Sequence, residues 1–428
     1  MRLSVNRRKS AVFIGVGGLL VAVGLLLSAG LLTALAGALD IPLAVGGLPA
    51  QVRLWLAKLV LLVAGLLLLY PFRFSRVGKT LFDVVVGLLL LLVTLFLIEG
   101  GFGLLNRWRS QSVPGEQPQL RLSGMYARPD EQFGFVLLPG AVVTATETMG
   151  DRLIYQVQYS ITDQGRRPVP VTQPVDRQRF ALFFGGSFIF GDGLADDEQL
   201  PYYLGQLAPG YTPYNFGVSG YGPTQALAQL QFQDLPAEVT QSEGIAIYTY
   251  ICAHISRVVG TMERVNSFGG NMPYFALGPN NRAEYRGDFG SVYPQLPALY
   301  AVLGMSETVK YFNLSFPPIT DSHYRLTAAI LAEMERELQR QFDAVDFYVL
   351  LYPGSGSCAP LLRPHLDELG VKYLDYSELL AGREPSQYFI PDGHPTSRAQ
   401  QTVAEQLARD MGILGREMKA DIDDDQGK

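Results

Sequence analysis

Residues 11–39 read AVFIGVGGLLVAVGLLLSAGLLTALAGAL without one charged side chain, and no other feature constrains the chain as strongly. A hydrocarbon layer of roughly 30 Å is crossed by about 20 apolar helical residues, so this run is long enough to span a membrane. Two further apolar runs follow at about 52–70 and 81–99, carrying Lys58 and Asp83, which must snorkel or face other helices. Ala34-Leu35-Ala36 resembles a signal-peptidase site, but the run far exceeds a typical signal core and more apolar runs follow it. Three transmembrane helices within 1–106 are therefore expected. Arg2, Arg7, Arg8, Lys9, Arg73, Arg76 and Lys79 flank the first span and fill the second loop, whereas the 40–51 loop has no Lys or Arg. The positive-inside rule then makes the chain a multi-pass protein of the cell (inner) membrane, with everything after Asn106 extracytoplasmic.

A net charge of −6 offers no basic stripe for nucleic acid, and 2 cysteines rule out a Cys-rich zinc module. Beyond the spans, a polar linker is expected at 107–120 and a β-rich prelude at 121–178, with a hairpin pairing 142–148 to 153–161. From 179 to 414 short apolar runs alternate with helical periods. The strand candidates are 180–184, 213–216, 245–251, 347–352 and 371–374, and the clearest helices are 326–342 and 396–411. That alternation is the pattern of an α/β domain with a parallel sheet, whose ligands gather at the carboxyl ends of the strands. The 266–320 stretch is long for a connection and reads as an insertion, and 415–428 as an acidic disordered tail.

Three strand ends carry unusual loops. Gly185-Gly186-Ser187-Phe188-Ile189-Phe190-Gly191 follows the first, Asn215 to Gly222 follows the second, and Asp392-Gly393-His394 precedes the last helix. A serine on a glycine-rich strand-to-helix turn can stand beside free backbone N–H groups, and a distant Asp/His pair can activate it. No P-loop and no G-x-S-x-G elbow is present.

In this order the three loops resemble the blocks of the SGNH (GDSL) hydrolase superfamily, in its membrane-anchored branch with a GGSF-type serine block. The resemblance covers about 180–414. It implies a flavodoxin-like three-layer fold and ester chemistry without metal or organic cofactor, with Ser187 as nucleophile, His394 as base and Asp392 as its orienter. It also implies that the N–H groups of Ser187 and Gly220 form an oxyanion hole, and that Asn215 and Arg257 line the site. Two positions depart from the family pattern. Pro391 stands where Asp is usual, and Ala253 stands where an oxyanion Asn would be, with His254 beside it as a candidate donor.

The expected activity is hydrolysis of an ester, on an acylated envelope glycan or a lipid, through an acyl-serine intermediate. O-acyl transfer to an exported polysaccharide with a partner membrane acyltransferase is a second reading, and a catalytically weak glycan-binding module a third. Two smaller features leave alternatives. Cys252 and Cys358 end neighbouring strands and could pair, although two free buried thiols are the simpler expectation. Tyr274, Asn280, Asn281, Tyr285, Phe289, Tyr293 and Tyr300 could stack on a sugar, but ordinary packing under a long loop is the more common role. His323 and His365 are expected on helix surfaces.

Overall fold

The computed structural model describes residues 15–25, 58, 60–65, 76–112, 118–170 and 177–414. It divides into two compact units, Met1–Gly115 with Ala301–Leu314, and Glu116–Tyr300 with Ser315–Lys428.

The first unit is dominated by helix α1 (Arg76–Ser112). Among the described residues one stretch, Leu90–Ser110, is long and apolar enough to cross a membrane. The expected spans at 11–39 and 52–70 lie mostly outside the described residues, as does the tail at 415–428. Helix α1 also runs into the segment expected to be a linker, because the first proline after the apolar run is Pro114.

The second unit is built on five parallel strands: β6 (Arg179–Phe184), β7 (Tyr211–Asn215), β8 (Glu243–Tyr250), β11 (Ala344–Leu351) and β12 (Tyr373–Asp375). They lie in the order β12-β11-β8-β6-β7, the flavodoxin-like arrangement in which the first strand is flanked by the second and third. The central strands are nearly continuous apolar runs because both faces are covered. Alternate residues feed two cores. Phe180, Leu182, Phe184, Ala246 and Tyr248 pack on one side, against helices α4 (Pro223–Phe232), α7 (Asp321–Gln341) and α8 (Ala359–Leu369). Ala181, Phe183, Ile245 and Ile247 pack on the other, against α3 (Leu200–Leu207) and α9 (Ser397–Asp410). Pro213, which cannot donate to a ladder, sits on the edge strand β7.

The prelude is larger than one hairpin. Strands β4 (Val142–Met149) and β5 (Arg152–Ser160) pair antiparallel and are joined by β1 (Pro118–Leu122), while β2 (Ala127–Asp130) and β3 (Gly134–Leu137) form a second ribbon. Its Phe133, Val143, Ala145 and Tyr159 enter the same core as the sheet, so prelude and α/β layers fold around one interior.

The insertion contributes strands β9 (Pro273–Leu277) and β10 (Ala283–Asp288). Its aromatics pack on one another: Phe289 contacts Tyr274, Tyr293 and Tyr300, and Tyr285 contacts Phe275 and Phe232. These contacts fit the packing role, while Tyr285 and Tyr293 remain exposed. His365 departs from expectation, since it is buried and its Nε2 lies 2.9 Å from Asp321 Oδ1.

The two cysteines also depart from expectation. Strands β8 and β11 are neighbours, and the Cys252–Cys358 bridge is closed with Cα atoms 5.5 Å apart. A bridge closing 106 residues is worth about 4–5 kcal/mol on the chain-entropy view. Thiol titration of the denatured protein should find no free thiol before reduction and two after. Two free thiols in unreduced protein would contradict the bridge.

Candidate active site

Strand β6 ends in Gly185, whose φ of +154° is open to glycine, and the chain turns at Gly186 into the short helix α2 (Ser187–Phe190). A Cβ on Gly186 would lie 2.5 Å from Arg257 Nη1 and 2.7 Å from Tyr221 O, so close approach demands glycine there. Ser187 begins α2 and is 6% exposed.

The glycine block follows β7. Gly220 has φ +89°, and a Cβ on it would lie 2.8 Å from Phe268 Cε1. The block's carbonyls are pinned from behind: Arg264 donates to Gly220 O and Arg257 donates to Tyr221 O. Neither the Ser187 N–H nor the Gly220 N–H meets an acceptor among the described residues. Asn215 differs from its expected place at the site. It is buried, its Nδ2 donates to Ile189 O and Gln199 Oε1, and its Oδ1 accepts from Gly217 N–H. With its polar atoms spent, it fastens β7 to the serine loop.

The histidine block makes a tight turn at Gly393, φ +89°, between β12 and α9. Asp392 Oδ2 lies 2.6 Å from His394 Nδ1, and its Oδ1 accepts the His394 backbone N–H at 3.0 Å. The two-residue spacing therefore suffices for Asp392 to hold the ring, with Pro391 taking no part. The His394 ring packs beside Phe188, centroids 5.6 Å apart. Its Nε2 lies 3.7 Å from Asp192 Oδ2, and no hydrogen bond joins it to Ser187 Oγ among the described residues.

Asp192 is where the three blocks converge; the sequence places it at the end of the glycine-rich serine loop and assigns it no role. It belongs to the serine loop, accepts the Ser219 hydroxyl of the glycine block at 2.7 Å, and faces His394. A further carboxyl comes from the prelude: Glu147 on β4 is buried and its Oε2 has no partner among the described residues. Burial first, then the Asp392 charge, pushes the Glu147 carboxyl above its usual range, and burial does the same to Asp192. Burial alone would depress His394. The hydrogen bond to Asp392 and the charges of Asp192, Asp392 and Glu147 outweigh it and raise the imidazole. Burial likewise opposes ionisation of Asp392, yet the bond and charge of His394 hold that carboxyl below its usual range.

The prelude also clamps the serine loop. The guanidinium of Arg167 is buried, donates to Phe190 O at 2.8 Å, Gly191 O at 2.6 Å and Leu194 O, and pairs with Asp196 at 2.9 Å. Tyr159 Oη accepts the Gly193 N–H at 2.8 Å.

At the end of β8, helix α5 (Ala253–Val259) turns Ala253 outward and His254 inward. His254 is 1% exposed, its Nδ1 lies 2.8 Å from Tyr248 Oη, and its buried Nε2 has no partner among the described residues. That nitrogen lies 3.2 Å from where a Gly186 Cβ would be. Burial, then the charges of Arg257 and Arg264, hold the ring neutral. The side chain facing the serine loop from this helix is thus His254, one residue after the position where the family has Asn.

No family model matches the chain, nor does any curated protein sequence. Solved structures do resemble it. A lipolytic G-D-S-L family protein from Veillonella parvula is 8% identical with a TM-score of 0.33, over 54% of this chain and 97% of that one. The acetylxylan esterase Axe2 from Geobacillus stearothermophilus, solved as a catalytic mutant, is 12% identical with a TM-score of 0.30, over 57% and 99%. A family two carbohydrate esterase from Clostridium thermocellum, in complex with cellohexaose, is 9% identical with a TM-score of 0.32, over 59% and 69%. Scores of this size leave the chemistry to be read from the chain's own side chains.

Titration of His394 followed by NMR should give a pKa above 6.5, and Glu147→Gln should lower it by removing a nearby negative charge. A value below 6.5 in the wild type would contradict the electrostatics described here.

Proposed function

We propose that this chain is a membrane-anchored serine esterase. Ser187 Oγ attacks the ester carbonyl, its proton passes to His394 Nε2, and the departing alcohol takes that proton. Water, deprotonated by the same nitrogen, then releases the acid from the acyl-serine. Asp392, bound to Nδ1, keeps Nε2 available as the acceptor. For the first step the ring turns Nε2 from Asp192 toward Ser187, a tightening common on substrate binding.

The observation that carries this reading is the Asp392–His394 pair standing beside a serine loop whose nearby N–H donors have no acceptor. The Ser187 and Gly220 N–H groups supply two oxyanion donors. His254 supplies a third in the tautomer whose Nδ1 accepts from the Tyr248 hydroxyl, which leaves the ring hydrogen on Nε2. This donor takes the part of the family's Asn. The Cys252–Cys358 bridge and the placement of basic residues around the apolar runs both fit a catalytic unit outside the cytoplasm. The closeness of such a unit to lipid and envelope glycan makes an acyl ester of either the substrate class.

Turnover of p-nitrophenyl acetate by the full chain in detergent is the test. Ser187→Ala and His394→Ala should each lose about 10⁴-fold or more in kcat. His254→Ala should lose about 10²–10³-fold in kcat with little change in KM, and His254→Asn should retain more. Undiminished turnover in Ser187→Ala would contradict the serine mechanism, and an unchanged kcat in His254→Ala would remove that residue from the oxyanion site.

A further inference from the structure

Segment Ala301–Leu314 interrupts the α/β domain in sequence, yet it belongs to the compact unit of the apolar helix α1. It is fastened to that helix over two turns. Glu99, which closes the uncharged run 84–98, accepts the Ser306 hydroxyl at 2.6 Å on Oε1 and the Glu307 N–H at 2.7 Å on Oε2. Two turns on, Asn106 Nδ2 donates to Glu307 O and Glu307 Oε2, each at 2.9 Å. Between them Phe102 packs on Tyr311 and Phe312, with centroids 4.9 and 5.2 Å apart.

These contacts engage the segment's polar atoms with α1 and leave apolar side chains outward. Val302 is 60%, Phe312 55% and Leu314 45% exposed. On α1 itself Leu104, Leu105 and Trp108 are exposed as well, and the same helix carries the exposed leucines of the run 84–98. Apolar surface grouped this way marks an interaction site. Its attachment to the apolar helix says what covers it.

We infer that Ala301–Leu314 is a foot set in the headgroup–acyl boundary of the bilayer that α1 crosses. The inference rests on reading the earlier part of α1, about 81–99, as the membrane span, since a span of Leu90–Ser110 would set Glu99 and Asn106 within the hydrocarbon. Two features agree on the depth. Glu99 ends the apolar run, and beyond it Trp108, Tyr311 and Phe312 stand among Arg107, Arg109 and Lys310. Aromatic rings mixed with basic side chains are the composition of a membrane interface. A water-filled setting would leave the patch uncovered, and the hydrocarbon centre would bury those cations at high cost.

The test is photolabelling of the full chain reconstituted in phosphatidylcholine vesicles whose acyl chains carry a diazirine, with adducts mapped by mass spectrometry. Adducts are expected on both 84–98 and 301–314. The double variant Glu99→Ala, Asn106→Ala, which removes the polar fastenings on α1, should lower the yield on 301–314 severalfold and leave 84–98 unchanged. Adducts on 84–98 with none on 301–314 would overturn the foot while the span stands. Adducts on neither would overturn the span and the foot with it.

Discussion

One buried guanidinium holds the candidate site together. Arg167 comes from the loop that closes the prelude after β5, and its side chain is fully enclosed. A charge in such a place costs several kcal/mol unless every donor is used. Here the carbonyls of Phe190, Gly191 and Leu194 and the carboxylate of Asp196 accept from it, while the rings of Tyr159 and Phe190 lie 4.6 and 5.0 Å from its centre. Those carbonyls belong to the exit of the serine loop. Their fixed positions set where Asp192 points, and Asp192 in turn meets Ser219 and His394. The same guanidinium draws in the prelude through Tyr159 and so brings Glu147 near the Asp392–His394 pair. The prelude is thereby part of the site rather than an accessory in front of it.

The sheet supplies the other half of the geometry. Because β6 lies between β7 and β8, the chain leaves the sheet in opposite directions after its first and second strands, and a crevice opens at their carboxyl ends. The serine loop, the glycine block and helix α5 all start from that edge. The surroundings are polarised. Carboxyls crowd His394 and favour its protonated ring, and Arg257 and Arg264 stand behind the glycine block.

Much of this was legible in the sequence, and the reasons are local. The three central strands β6, β8 and β11 declared themselves because buried parallel strands are nearly unbroken apolar runs, and Leu326, Ile330, Met334 and Leu338 recur at helical spacing because α7 buries one face. Gly186, Gly220 and Gly393 were visible because sharp turns and close contacts tolerate little else. What stayed hidden depends on distance along the chain. Arg167, Glu147 and Tyr159 look like ordinary members of a β-rich prelude, and only the tertiary fold brings them to the serine loop. The Cys252–Cys358 bridge needed the register of β8 against β11 as well as their adjacency. Asn215 misled because glycine-block residues face a ligand in the family pattern, while here its three hydrogen bonds turn inward. The foot was read as insertion because sequence order places it there, while Glu99 and Asn106 tie it to α1.

The central claim is that Ser187 carries the acyl group. Rapid acid quenching of the full chain during turnover of p-nitrophenyl acetate, followed by peptide mass spectrometry, reads this directly. A single acetyl group on Ser187, accumulating further in a variant slowed at deacylation, is the predicted result. Turnover with no acetyl on Ser187, or with the acetyl on another side chain, would contradict it.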